Sequence, residues 1–504
     1  MRWTISAAAV AAATVLTAAG CGGAGGAPGS GAGLGGGASV VPADAVAFVA
    51  LDTDVSSGQW RAVDQLLRKF PAHDGLLSQL QQSFEQKTGL SWNDDVRPAL
   101  GSELDVAALP GGSAGATPQL VVLTQPADAA KFSALLAKLG GGSSGGGYSK
   151  EIGGWTVASE SAAALDAVQN ATATLASDNT YQDATGHLAG DSLARAYANG
   201  AEAQQLLGSL PGQSQVTPAS RRARPGTTNG GSPATAQPFQ WGAADVVAVD
   251  GGLKVEVFAR SAAPVVTVLQ RSSVAQTPTQ PYTAHLVDEI PAGPLFVADF
   301  HVTPGELDLA DPAKLPKPIG QLLQAMPQLS GQLDSILGGE TAIYVRPSLP
   351  VPEVTLVTQP ADTQAAVVAL GSVVSALKTA AAGAAGPLGA LGSVQVYHAL
   401  LGGELVVSTS QQGIADFRAA GQKLSADPAF VEAMKTAKVP PQTTGFVYVN
   451  LEATLPLVQG IAALAGLTLP QALQGSGLQP LRTLTAFADR TRDESSFTVF
   501  LAVG

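Results

Sequence analysis

The chain has 504 residues, 45% of them hydrophobic and 13% charged, with 58 glycines, 33 prolines and a net charge of −12. It is long enough for two or three domains, and its acidic balance argues against a general nucleic-acid binder, which needs clustered positive charge to displace counterions from phosphates. Its single cysteine excludes a disulfide framework and a cysteine-based structural zinc site.

The first expected element is an address. Met1-Arg2-Trp3 opens the chain, an apolar run continues through Ala19, and Gly20-Cys21 follows. A basic start, a short hydrophobic stretch and small residues before a cut site are the parts of a secretory signal. Leu16-Thr17-Ala18-Ala19-Gly20-Cys21 resembles the bacterial lipobox, with Ala18 where that motif prefers leucine. Residues 1–21 are therefore expected to be a lipoprotein signal peptide, with Cys21 the lipidated new N-terminus. The diacylglyceryl group supplies two chains, and two hold a protein to a bilayer firmly where one does so marginally. Residues 22–39, nearly all glycine, alanine and serine, are expected to be a flexible tether.

Beyond the tether, the same blocks occur twice in the same order. Thr124-Gln125-Pro126-Ala127-Asp128 returns as Thr358-Gln359-Pro360-Ala361-Asp362, each after an apolar strand. Leu100-Gly101-Ser102-Glu103 matches Leu337-Gly338-Gly339-Glu340, Val41-Pro42-Ala43 matches Ile290-Pro291-Ala292, and Gly153-Gly154 matches Gly402-Gly403. This order predicts two tandem, homologous domains: copy one over 40–264, a linker over 265–289, and copy two over 290–504. Each copy is predicted to run from an opening strand (46–51; 295–300) to a helical region (60–88; 319–337) and a strand pair (103–109 with 119–124; 340–345 with 353–358). A helix follows the Gln-Pro-Ala-Asp stretch. Next come a hairpin and helix, a helical turn at Ser177-Asp178 or at Asp427-Pro428, a strand (193–198; 445–451), and a closing strand pair. Strands joined by short Gly- or Pro-rich turns pair antiparallel, so the expected class is α+β, with mainly antiparallel sheets covered by helices. Residues 211–238 are expected to be a disordered insertion in copy one. It carries Arg221-Arg222-Ala223-Arg224, read as a solvated loop rather than an anionic-lipid contact.

The candidate chemistry is sparse. Thr-Gln-Pro-Ala-Asp reads as a helix start, with proline at the first helical position and the aspartate near the positive end of the helix dipole, where it can accept from free backbone N–H groups. Asn93-Asp94-Asp95 lacks the glycine and alternate spacing of a calcium loop and reads as a cap or turn. His73, His187, His285, His301 and His398 show no metal-ligand spacing. Gly140–Gly147 lies between a helix and a strand, the wrong order for a phosphate loop. Trp60, Trp92, Trp155 and Trp241 all fall in copy one, chiefly as core residues, with an aromatic ligand platform the lesser reading. No catalytic, cofactor-binding or metal-ligating residue is assigned, and Cys21 is the one modification site.

Val41-Pro42-Ala43-Asp44, Gln59-Trp60, Phe70-Pro71, Trp92 and Val96-Arg97-Pro98-Ala99-Leu100-Gly101 resemble a family of secreted actinobacterial proteins known only as a domain of unknown function. The resemblance implies an anchor, a low-complexity tether and a long α+β ectodomain, and brings no catalytic residues. The expectation is a non-catalytic envelope lipoprotein on the outer face of the cell membrane, with a protein or polymer partner. The alternative is a carrier of lipid or other apolar cargo.

Overall fold

The computed structural model describes residues 33–71, 82–111, 117–139, 147–200, 239–261, 280–302, 329–348, 352–382, 395–464 and 475–504, apart from 87 and 492. The chain divides into two compact units, Met1–Ala263 and Pro264–Gly504.

In the first unit the described strands are β1 (Ala47–Asp52), β2 (Glu103–Leu109), β3 (Gln119–Thr124), β4 (Tyr148–Ile152), β5 (Trp155–Ser159), β6 (Ala194–Asn199), β7 (Phe239–Val249) and β8 (Gly252–Ser261). They form an antiparallel sheet in the order β8-β7-β6-β1-β2-β3-β5-β4. Alternate residues of a strand face opposite sides. Phe48 and Ala50 of β1, Ala107 of β2, Val121 and Leu123 of β3 and Val157 of β5 thus share one core. Helices α1 (Gly58–Leu67), α2 (Ala129–Leu139), α3 (Ala162–Gln169) and α4 (Asn179–Thr185) accompany the sheet. Leu165 and Val168 of α3 and Tyr181 and Ala184 of α4 close that core.

The second unit has β9 (Phe296–Val302), β10 (Gly339–Arg346), β11 (Glu353–Thr358), β12 (Tyr397–Leu401), β13 (Glu404–Ser408), β14 (Gly445–Asn450), β15 (Leu481–Arg490) and β16 (Glu494–Val503). Their order is β16-β15-β14-β9-β10-β11-β13-β12, again antiparallel, which is the order of the first sheet strand for strand. Its helices are α5 (Leu329–Ile336), α6 (Thr363–Ala382), α7 (Gln411–Arg418), α8 (Pro428–Ala437) and α9 (Leu451–Leu464). Both faces of this sheet are covered. Val297, Tyr344 and Val406 pack with Phe417 of α7 and Phe430 of α8, while Val302 and Leu405 pack with Ile336 of α5 and Leu370 of α6.

Two boundaries differ from expectation. The last residues of the expected tether are seated on the sheet: Gly36–Ser39 forms a 3-10 turn, and Ala38 and Val41 are buried. The expected linker ends early in the same way. Tyr282 bridges Thr443, Leu286–Asp288 forms a 3-10 turn, and Leu286 is fully buried. Composition misled here, because small residues read as tether whether or not a sheet receives them. The signal peptide, Cys21 and the expected insertion at 211–238 lie outside the described residues.

The Thr-Gln-Pro-Ala-Asp reading needs a correction. The aspartate accepts from free N–H groups as expected, but proline does not begin either helix: they start at Ala129 and Thr363, with the aspartate as the cap. Asp128 Oδ1 accepts from the N–H groups of Ala130 and Lys131 at 2.9 and 3.1 Å, and Asp362 Oδ1 from Gln364 and Ala365 at 2.9 and 3.0 Å. The threonines are buried: Thr124 donates to Glu103 O, and Thr358 meets Thr341 and Gly338. The motif therefore ties a strand end to the loop entering β2 or β10.

Candidate functional site

The most built polar feature is the seat of each unit's leading segment. In the first unit the receiving side chains are Glu103 and Asp105, two apart on β2 and so on one face of it. Glu103 Oε1 accepts from Gly35 and Gly36 N–H at 2.6 and 2.9 Å, and Asp105 Oδ2 from Gly37 N–H at 2.9 Å. Arg195 of β6 donates to Leu34 O at 2.9 Å and also binds Ala189 O and Ser192. One stretch of backbone is thus held by its N–H groups on two carboxyls and by a carbonyl on a guanidinium. Gly35 has a φ of 107°, where glycine alone is at ease, and its missing Cβ would stand 2.9 Å from the Tyr181 hydroxyl.

The second unit repeats the arrangement. Glu340 Oε1 accepts from His285 and Leu286 N–H, both at 2.7 Å, and the Tyr282 hydroxyl donates to Asp299. The glutamates correspond in the repeated blocks, but the aspartates do not. Asp105 lies on β2 opposite Ala50, whereas Asp299 lies on β9 opposite Ala342. The same rung carries its carboxyl from the opposite strand.

Both aspartates are fully buried, and one oxygen of each, Asp105 Oδ1 and Asp299 Oδ2, has no N–H or O–H directed at it. Burial, then the neighbouring Glu103 charge, pushes Asp105 up to about 10; burial, and the charge of Glu340, hold Asp299 well above the usual carboxylate range. Glu404 is pushed up to about 7 by burial and by the charges of Glu289 and Glu340, against a hydrogen bond from Gln359. Burial raises Asp52 to about 6, although Ser57 and the Asp54 N–H bond it. In each case the folded chain binds a proton that the unfolded chain has released. Stability is therefore greatest below the ordinary carboxylate range and falls as pH climbs towards 6 for Asp52, 7 for Glu404 and 10 for Asp105. A thermal midpoint clearly lower at pH 8 than at pH 5 is expected in scanning calorimetry. Groups displaced as far as Asp52 or Glu404 contribute on the order of 2–3 kcal/mol each. A midpoint that rises between those pH values would contradict this.

The other sequence candidates serve the fold. Ser91 caps the turn at Trp92–Val96, with Asp95 returning a bond to Ser91 N–H, so Asn93-Asp94-Asp95 is a cap as expected. Trp60, Trp92, Trp155 and Trp241 are all buried, which leaves no aromatic platform among them. His187 stacks between Trp241 and Phe258, His301 against Tyr282, and His398 lies exposed on β12. His73 lies outside the described residues. Among the described residues no group of three or more His, Cys, Asp or Glu is placed to hold a metal ion. The carboxyl seats were missed by the sequence reading, although the repeated Gly-x-Glu of the β2 and β10 openings carried half of the signal. Chemically the seats can grip backbone and hold a proton.

The fold and its seats define an α+β chain with two antiparallel, helix-covered sheets. A family model described as a protein of unknown function (DUF3352) matches residues 4–147. No curated protein and no solved structure matches the chain.

Proposed function

We propose that the chain is a non-catalytic envelope lipoprotein, held to the outer face of the cell membrane by lipid on Cys21 and presenting a duplicated α+β ectodomain to a protein or polymer partner. The observation that carries the reading is the position of the only cysteine, at the end of a signal-like run and thirteen residues before Leu34, whose carbonyl is held by Arg195. No helix among the described residues is long and apolar enough to cross a membrane.

Duplication is supported by the shared strand order and by matching details. Asp178 and Asp427 cap the helices that follow corresponding 3-10 turns. Tyr181 meets Tyr197 edge-to-face at 5.1 Å, and Phe430 meets Tyr448 edge-to-face at 5.2 Å.

The test is Cys21→Ala in the native host, with metabolic labelling by palmitate. The wild type should take up label and fractionate with membrane, and the variant should lose both properties. An unlabelled wild type, or a variant still processed normally and retained in the membrane fraction, would overturn the anchor.

A further inference from the structure

Each leading segment rests on two carboxyls that lie close together. Glu103 and Asp105, two apart on β2, accept from the successive N–H groups of Gly35, Gly36 and Gly37, and Glu340 lies diagonally across from Asp299 on the neighbouring strand, close enough in both units for the carboxyls to act on one another. Carboxylate oxygens are acceptors only, so such a pair needs a hydrogen from somewhere. The surroundings offer none: Asp105 Oδ1 and Asp299 Oδ2 are buried with no protein donor directed at them. The remaining groups facing Asp105 are Tyr181 from α4 and Arg195 from β6; its rung neighbours Ala50 and Leu123 carry no charge, and the leading segment presents only backbone. Arg195 is already committed to Leu34, Ala189 and Ser192. Facing Asp299 are Glu340 from β10 and Tyr282 from the leading segment, whose hydroxyl is committed to Oδ1; Ala342 and Phe446 flank it, and His301 stacks on Tyr282. The same pair is built twice, from opposite strands.

We propose that one proton shared between a fully buried aspartate and its neighbouring glutamate in each unit latches that unit's leading segment, so that the seats of residues 34–41 and 282–290 are tight in acid and loosen as pH rises. Loss of the proton leaves two like charges side by side, one of them on a fully buried aspartate. The relief available is to open the seat and admit water, releasing the backbone of Gly35, Gly36 and Gly37 in one unit and of His285 and Leu286 in the other. In the first unit the released stretch continues directly from the proposed tether, so opening would lengthen the span between membrane and sheet. The latch holds whether or not Cys21 carries lipid, so its test stands apart from that of the anchor.

The experiment is hydrogen exchange by mass spectrometry on the full chain between pH 5 and 8, with protection corrected for the intrinsic rate. In the wild type, protection of peptides covering 34–41 and 282–290 should fall with rising pH, by up to about tenfold per pH unit for one linked proton. Asp105→Asn supplies the missing donor permanently as an amide. It should flatten the pH profile of 34–41 and leave that of 282–290 unchanged, and Asp299→Asn should do the reverse. A flat wild-type profile, or an Asp105→Asn profile as steep as wild type at 34–41, overturns the proposal. If one variant fails to fold, the wild-type profile and the other variant decide it.

Discussion

Gly37→Ala is expected to cost the first unit about 3 kcal/mol, within the range for overpacking plus a lost buried hydrogen bond. An added Cβ at Gly37 would overlap Oδ2 of Asp105, the oxygen that accepts the Gly37 N–H. Backbone geometry is not the cause, because Gly37 lies within a 3-10 turn and has no positive φ. The side chain must either displace a fully buried carboxyl or lift the segment from its seat, and either move breaks the bond to Asp105. Combining the change with Asp105→Ala removes the obstructing carboxyl, so the two costs should be strongly non-additive. Urea unfolding of the two single variants and the double variant gives the coupling directly. Additive costs would mean that Gly37 and Asp105 do not press on each other.

Trp241→Ala should be the costliest single truncation, about 3–5 kcal/mol. Trp241 lies on β7 with 1% of its surface exposed, the largest fully buried side chain described. Its indole N–H donates to Asp183 Oδ2 at 2.8 Å, and Asp183 also pairs with Arg260, whose guanidinium lies 5.3 Å from the ring centre. Truncation thus leaves a cavity, takes a partner from Asp183 and removes the surface on which Arg260 rests. Trp241→Phe keeps most of the packing while losing the N–H, and Asp183 retains Arg260, so its cost should be nearer 1 kcal/mol. Chemical denaturation of both variants separates cavity from hydrogen bond. Equal losses in the two would assign the whole effect to the indole N–H.

Legibility differed from element to element. The hairpin at Gly153-Gly154 and its counterpart at Gly402-Gly403 could be read from paired glycines between apolar runs, and the structure places β4–β5 and β12–β13 around them. The helix start after Gln-Pro was also legible, but it lies three residues further on than expected. Proline's fixed geometry suggested the first helical position, which it does not occupy, while the aspartate's oxygen satisfies the free N–H groups as expected. The helical stretch predicted over 319–337 is described only from Leu329, and the span before it lies outside the described residues.

The sequence by itself determined the α+β class, the chain order of strands and helices, and the block matches that lead both sheets through one strand order, because hydrophobic period, turn residues and caps are local properties. Only the tertiary structure decided that Leu34–Ser39 is a seated segment rather than free tether. A glycine run looks the same whether its N–H groups meet water or the Glu103 and Asp105 carboxyls, which lie far along the chain. It alone also decided that Asp105 and Asp299 do the same work. They do not correspond in the repeated blocks, and only strand register, with Ala50 opposite Asp105 and Asp299 opposite Ala342, brings them to one rung.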